Sequence, residues 1–270
     1  MQINKTKISI ITVSFNTSDV IEKTIQSVIN QIYPNIEYII IDGGSTDGTA
    51  DIIRKYANKI TFWISEPDKG IYDAMNKGID KANGEWINFM NAGDYFANNN
   101  VLTEIFNGNS YDHSIGVIYG DSIGVKEGNV YVYEKPVPFF KQKNYIQSKG
   151  ISHQSMFVNS FIAKEIKFDL NLLICADFDM AYKIFNLGKK YHYIGIPIAY
   201  FESGGISTTR TKQAFYENAV ITGVQNTIKF KLIKIVKFIE LDIRKVTINL
   251  LKKVSPYLLK SIRKKIYNTN

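Results

Sequence analysis

Residues 36–49 read Ile-Glu-Tyr-Ile-Ile-Ile-Asp-Gly-Gly-Ser-Thr-Asp-Gly-Thr, an apolar run that stops at a carboxylate and a glycine pair. A short run this apolar, ending in turn residues, is the pattern of a strand covered on both faces, as in a parallel sheet. The loop after it sets Asp42 at the strand's carboxyl end, the edge at which open α/β sheets bind ligands. Two readings of Asp42 stay open. It accepts a hydrogen bond from a nucleotide base or ribose, a charge-assisted contact of roughly 1.5–3 kcal/mol. Or it belongs to a turn in which Ser45 or Thr46 caps the next helix. A dinucleotide fold fits poorly, because the G-x-G-x-x-G pattern is absent.

Outward from this junction, strand and helix alternate. Ile8–Phe15 reads as a buried strand, followed by the N-cap formers Asn16 to Asp19. Apolar residues at 21, 25, 28, 29 and 32 have helical spacing, and Pro34 stops that helix. After the Asp42 loop come a helix around Ala50–Tyr56, a strand around Ile60–Ile64, a helix over Ile71–Ala82 and a strand over Glu85–Met90. That last strand ends in Asn91-Ala92-Gly93-Asp94. Four alternations within ninety residues predict a doubly wound, mostly parallel, Rossmann-like α/β sheet with helices on both faces.

The second half is more mixed. A strand is expected over Ile115–Gly120 and a hairpin over Val125–Tyr133, turning at Glu127-Gly128-Asn129. A helix is expected over Asp177–Leu187 with Gly188 just beyond it, then strands at Tyr191–Ile194 and Ile198–Phe201. Ser203 to Thr209 reads as a polar loop. From about Thr227, Ile228, Leu232, Ile235, Ile239, Ile243, Val246 and Leu250 recur at spacings of three and four, with Lys and Arg mostly off that stripe. This is a basic amphipathic helix, broken at Pro256. The expected organisation is one domain over 1–226, in two halves (1–97 and 98–226), followed by a tail over 227–270.

Charge follows the same division. Between Lys229 and Lys265 there are 12 Lys and Arg against Glu240 and Asp242, so this segment carries +10 and the remainder of the +8 chain carries −2. A basic tail on a mildly acidic body argues against a nucleic-acid-binding protein and for a local anionic partner. The single cysteine, Cys175, excludes a disulfide framework and a cysteine zinc site. No signal-peptide core and no bilayer-length apolar stretch is seen, so a cytoplasmic location is expected.

Several polar clusters sit at strand ends. Asp94 offers a hard oxygen ligand to a divalent cation, or opens a turn. Asp68 and Lys69 stand before a helix, where Lys69 can neutralise phosphate or form a solvated surface pair. Asp177 and Asp179 complement a helix dipole, or one serves as a general base. His153 stands alone in sequence; its default reading is structural.

Taken in order, Thr-Val-Ser-Phe15-Asn16, Ile-Asp42-Gly-Gly-Ser-Thr-Asp-Gly-Thr, Asp68-Lys-Gly-Ile-Tyr-Asp-Ala-Met-Asn76-Lys-Gly and Asn91-Ala-Gly-Asp94 resemble the family 2 inverting glycosyltransferases of GT-A fold. The likeness is greatest to members that extend bacterial surface polysaccharides such as O-antigen lipopolysaccharide or capsule. It is strong over about residues 5–95, looser through Asp177 and Tyr200–Thr208, and absent from the tail. The resemblance implies transfer of a hexose or N-acetylhexosamine from a nucleotide sugar, with UDP expected, to a hydroxyl of a lipid-diphosphate-linked glycan. It places Val13, Phe15, Asn16, Asp42, Lys69, Asn91, Ala92 and Gly93 around the donor, with Asp42 on the base and Lys69 near the diphosphate. It gives Asp94 to Mg²⁺ or Mn²⁺ and makes Asp177 the base. His153, Asp179, Gly205 and Ser207 fall to the acceptor side or to a segment folding over the donor.

Two departures stand out. Asn91 and Gly93 replace acids common in the family's D-x-D region, so metal binding leans on Asp94, the diphosphate and water. Ala176 stands where many relatives carry Glu, which leaves Asp177 and Asp179 in competition for the base. The tail is expected to dock on the anionic inner face of the cell membrane; packing on the body or pairing two subunits as a homodimer are its other uses. A nucleotidyltransferase would need a Gly- and Arg/Lys-rich triphosphate loop, which Thr12–Asn16 lacks. A catalytically silent nucleotide-sugar-binding protein fits less well with Asp42, Asp94 and Asp177 all present.

Overall fold

The computed structural model describes residues 5–126, 129–136, 151–202 and 210–254. The turn at 127–128, the loop bearing Gly205 and Ser207, and the tail from 255, Pro256 included, lie outside the described residues.

Nine strands form one mixed sheet: β1 (Ile8–Ser14), β2 (Ile36–Asp42), β3 (Phe62–Ser65), β4 (Trp86–Phe89), β5 (Tyr95–Phe96), β6 (Ile115–Lys126), β7 (Asn129–Glu134), β8 (Met156–Asn159) and β9 (Lys190–Glu202). The order is β3-β2-β1-β4-β8-β6-β9-β5, with β7 paired to β6. The first four strands are mutually parallel; β8 enters antiparallel between β4 and β6. Helices α1 (Ile21–Ile29), α2 (Thr49–Lys55), α3 (Ile71–Lys81), α4 (Val101–Phe106), α5 (Ser160–Ile166), α6 (Ala176–Asn186), α7 (Thr211–Ile221) and α8 (Ile228–Val254) complete the described elements.

Alternation along β1 and β2 feeds two cores. Ile11, Val13, Ile39 and Ile41 face α3, α5 and α6, whereas Ile8, Ile10, Tyr38 and Ile40 face α1, α2 and α4. Burial on both faces is what the apolar run at 36–41 required. On α3, a methyl on Gly78 would stand 2.5 Å from Ile11 Cγ2, so the missing side chain lets this helix lie close on β1.

Parallel register aligns Ser14, Asp42 and Ser65 at the carboxyl edge of β1, β2 and β3. Asp42 is fully buried there. Its Oδ1 accepts from Ser14 Oγ (2.9 Å) and Ser45 Oγ (2.6 Å), and its Oδ2 from Ser45 N (2.9 Å) and Ser65 Oγ (2.6 Å). Four donors fill the carboxylate's lone-pair positions.

Elsewhere the structure redraws sequence expectations. Asn16 to Asp19 do not cap α1: its cap position is Val20, without a side-chain bond. Their polar groups go instead to the loop after β2, with Asn16 Oδ1 accepting from Thr46 N (3.0 Å), Thr17 N donating to Thr49 Oγ1 (2.9 Å) and Ser18 N to Asp47 Oδ2 (2.9 Å). Ser45 is spent on Asp42, and α2 starts after Gly48, whose φ of 97° favours glycine. The two strands expected at 191–194 and 198–201 are one, because shifts in register against β6 absorb Gly195 and Pro197. The short elements β5, β8, α4 and α5, and helix α7, were not read from the sequence.

Burial alone would raise the Asp42 carboxyl's pKa, but the bonds from Ser45, Ser65 and Ser14 outweigh it and hold it below the usual range. A lowered native pKa contributes stability above the unfolded value, about 3.9, that is lost as pH falls through the native value. We expect Asp42→Ala to cost about 3 kcal/mol in urea unfolding, since buried hydroxyls and an amide lose their acceptor. The stability gap between wild type and Asp42→Asn should be full at neutral pH and shrink in acid.

Candidate active site

The loops at the carboxyl ends of β1 to β4 converge on one edge. Val13, within β1, is buried in the core, whereas Phe15, just beyond the strand, is 62% exposed, so of these two only Phe15 presents its side chain at this edge. Asn16, at φ 50°, clips the β1 loop to the β2 loop through Thr46 N and Ser45 Oγ.

Asp42, expected at a base, is closed off beneath this surface. Asp68 stands above it: a methyl built on Gly43 would meet Asp68 Oδ2 at 2.5 Å and Phe15 Cδ2 at 3.3 Å. A glycine at 43 thus leaves room for a carboxylate delivered from the loop after β3. Asp68 Oδ1 accepts from Gly70 N (2.7 Å), and Oδ2 has no donor among the described residues. Lys69 is exposed beside it, its amide held by Asp73 Oδ2 (3.0 Å).

The 91–94 turn closes with Asp94 N on Asn91 O (2.9 Å), and Thr24 of α1 holds it at Gly93 N (3.0 Å) and Asp94 O (2.7 Å). Gly93 adopts φ 101°, which L side chains rarely do, so this turn favours glycine over a second carboxylate. Ala92 N continues the ladder onto Val13 O (3.1 Å).

His153 joins what the sequence left apart. Its Nε2 lies 3.5 Å from Asp94 Oδ2 and 3.0 Å from Asn91 Nδ2; its Nδ1 lies 3.7 Å from Asp177 Oδ2. Three elements meet at this imidazole: the β4 loop, the turn before β8 and the first turn of α6. Burial pulls the His153 pKa down, but hydrogen bonds and charge from Asp177 and Asp94 prevail and raise it to about 9. Burial pushes the Asp94 carboxyl up, against the lowering effect of His153.

The same geometry separates the two candidate bases. Asp177 is partly open and faces His153. Asp179 is buried and ion-paired one turn on with Lys183 (2.7 Å). Among the described residues no cluster of three or more His, Cys, Asp or Glu is arranged for a metal. The protein offers Asp94 and the buried, unpartnered Asn91 Oδ1. Those oxygens fit a hard divalent cation whose remaining ligands arrive with a diphosphate.

The motif at 68–78 proves to be a clamp. Tyr72 Oη donates to Ile174 O (2.6 Å) and accepts from Ala176 N (3.3 Å). Asn76 exchanges two bonds with the backbone of Phe168 (2.9 and 2.8 Å). Neither role was read from the sequence, although both residues lie in a quoted motif at helical i, i+4 spacing.

Comparison with known proteins agrees with this architecture. Residues 9–165 match the model of glycosyl transferase family 2. An uncharacterized glycosyltransferase of Mycobacterium tuberculosis is 35% identical over 172 residues, spanning 63% of this chain and 65% of its own length. A PGL/p-HBAD biosynthesis glycosyltransferase of Mycobacterium bovis is 28% identical over 218 residues, or 77% and 81% of the two chains. Among solved structures, Staphylococcus aureus TarS 1–349 in complex with UDP-GlcNAc superposes with a TM-score of 0.59 at 20% identity, covering 80% of this chain and 66% of that one. The mannosyltransferase PcManGT of Pyrobaculum calidifontis, in complex with GDP-Man and Mn²⁺, gives 0.62 at 14% identity over 96% and 79%. The structural likenesses establish a GT-A-like fold, and the family match over more than half the chain establishes that this protein belongs to glycosyl transferase family 2.

Proposed function

We propose that this chain is a metal-dependent inverting glycosyltransferase that moves a hexose or N-acetylhexosamine from a UDP sugar to a hydroxyl of a lipid-linked glycan in surface polysaccharide synthesis. The observation that carries the proposal is the His153 bridge. It sets a metal-type carboxylate, Asp94, and a partly open carboxylate, Asp177, an imidazole apart at the sheet's ligand edge. The UDP-GlcNAc complex of a GT-A-like neighbour supports the donor class, and the Mn²⁺ in another supports a cation.

In this reading the base lies on Phe15, and Asp68 Oδ2 accepts its imino N–H. Asp42 acts from beneath, fixing the floor through Ser14, Ser45 and Ser65. Asn16, Asn91, Ala92 and Gly93 shape the wall by backbone, and Lys69 approaches the diphosphate. Mg²⁺ or Mn²⁺, held by Asp94 and completed by the diphosphate, would offset charge on the leaving group. Asp177 takes the acceptor hydroxyl's proton as its oxygen bonds to the anomeric carbon and the bond to the diphosphate oxygen breaks on the opposite face. His153 orients Asp177 through Nδ1 and screens it from Asp94.

We assign the tail to an anionic membrane surface. Helix α8 is anchored to α7 by Phe230, stacked on Phe215 at 5.5 Å, yet Ile228, Leu232, Ile235, Ile239, Ile243, Val246 and Leu250 are each more than half exposed. The stripe is therefore uncovered by this chain's own described residues. No described helix is long and apolar enough to cross a membrane, so docking would be in the interface plane.

Incubation with a panel of UDP and GDP sugars and Mg²⁺ or Mn²⁺ should give donor turnover with a UDP sugar. Binding without turnover would indicate a silent binder, and pyrophosphate release from a nucleoside triphosphate a nucleotidyltransferase. Asp177→Asn should lower kcat by about two orders of magnitude with donor affinity retained; near-normal turnover would remove Asp177 as the base. In ¹⁵N NMR of the metal-free protein, His153 should titrate near 9, and lower in Asp177→Asn. Its contribution to stability should accordingly be full below about 6.5 and be lost as pH rises through 9. Vesicles rich in anionic lipid should float the full chain but not an Ile239→Asp/Ile243→Asp variant; equal flotation would refute the membrane role.

A further inference from the structure

We infer that Glu217 is a positioning residue for the catalytic base. Its carboxylate, buried on α7, takes three successive backbone amides just ahead of α6: Leu173 N at 3.1 Å on Oε1, and Ile174 N at 3.0 Å and Cys175 N at 2.9 Å on Oε2. Gln213 Nε2 completes Oε1 at 2.9 Å. The next amide, Ala176 N, goes to Tyr72 Oη, which also holds Ile174 O. The four amides Leu173 to Ala176 are therefore taken by two side chains from distant elements.

The sequence gives α6 no cap of its own. Cys175 occupies the cap position without a side-chain bond. Among the free amides at the start of α6, Phe178 N has a local partner in Asp177 Oδ1 (2.8 Å), whereas Cys175 N and Ala176 N take theirs from Glu217 and Tyr72, which fix the direction in which the helix sets out. Asp177 stands two residues beyond Cys175, within the first turn, so the angle at which it meets His153 is set by Glu217 and Tyr72. Charge-assisted bonds from backbone amides are strong and directional, and a carboxylate accepts all of them at once. An amide at 217 keeps one oxygen and turns an N–H₂ toward the same donors. The consequence expected falls on the reaction and not on donor contacts, which in this reading are made by residues 15–94.

This inference rests on the reading of Asp177 as the base, and its test separates the two. Glu217→Gln should lower kcat at least tenfold while the donor's KM and the Kd for UDP stay within twofold. In the Asp177→Asn background the same change should have little further effect, because both act through one group. Tyr72→Phe, which keeps the ring stack on Phe168 (5.5 Å) and loses only the hydroxyl, should show a smaller fall of the same kind. Glu217→Asp should recover part of the rate. If Asp177→Asn alone retains turnover, the base assignment fails. If Asp177→Asn abolishes turnover but Glu217→Gln and Tyr72→Phe leave kcat intact, or lower it equally in the Asp177→Asn background, the positioning role is overturned. Should Glu217→Gln not fold, Tyr72→Phe in the two backgrounds decides by the same criteria.

Discussion

A buried carboxylate at the tip of β2 organises the ligand edge of this molecule. Parallel pairing brings Ser14, Asp42 and Ser65 into line, and Asp42 binds all three tips together with the loop amide of Ser45. Removing a charge from water is costly unless its hydrogen-bond capacity is filled. Here it is filled by residues that must sit in register for the sheet to form. The edge beneath the loops bearing Phe15, Asp68 and Asp94 is thus tied together, and those loops start from fixed points.

The chemistry then depends on bringing distant segments to that edge. His153 links the β4 loop to α6, and Tyr72 and Asn76 tie α3 to the 168–176 segment. Glu217 closes the arrangement from α7. These contacts are all polar and all long-range, which is why the stretch Asp68 to Gly78, which sits at the end of β3, also holds residues 168–176 in place. Helix α7 carries Glu217 and also the ring that anchors the basic tail helix, Phe215 on Phe230. The start of α6 and the tail helix therefore share one support.

How much of this was legible varies by physical scale. The parallel half of the sheet was readable because runs such as Ile39-Ile40-Ile41 are apolar on both faces and end in turn residues. The ion pair of Asp179 was also readable: Lys183 stands one helical turn after it, the spacing at which such pairs form. Asp42's saturation was not legible, since its partners come from the tips of two neighbouring strands as well as from its own loop. Nor was Asp68's place over Gly43, which depends on how β3 lies against β2. His153 gave no local signal, because its partners are 59 and 24 residues away in the chain. Short elements such as β8, with only Met-Phe-Val-Asn, lack enough periods to be recognised. The tail's stripe was plain from spacing, but only the structure shows that the described residues leave it uncovered.

Stereochemistry tests the proposed transfer most directly, since that reading has the acceptor oxygen attack on the Asp177 side while the diphosphate leaves on the Asp94 side. With an α-linked UDP sugar and a hydroxyl acceptor, the anomeric proton of the product should show, by NMR at early times, the β configuration. An α-configured product would contradict the account, because retention would require a protein group, rather than the acceptor oxygen, to meet the anomeric carbon first.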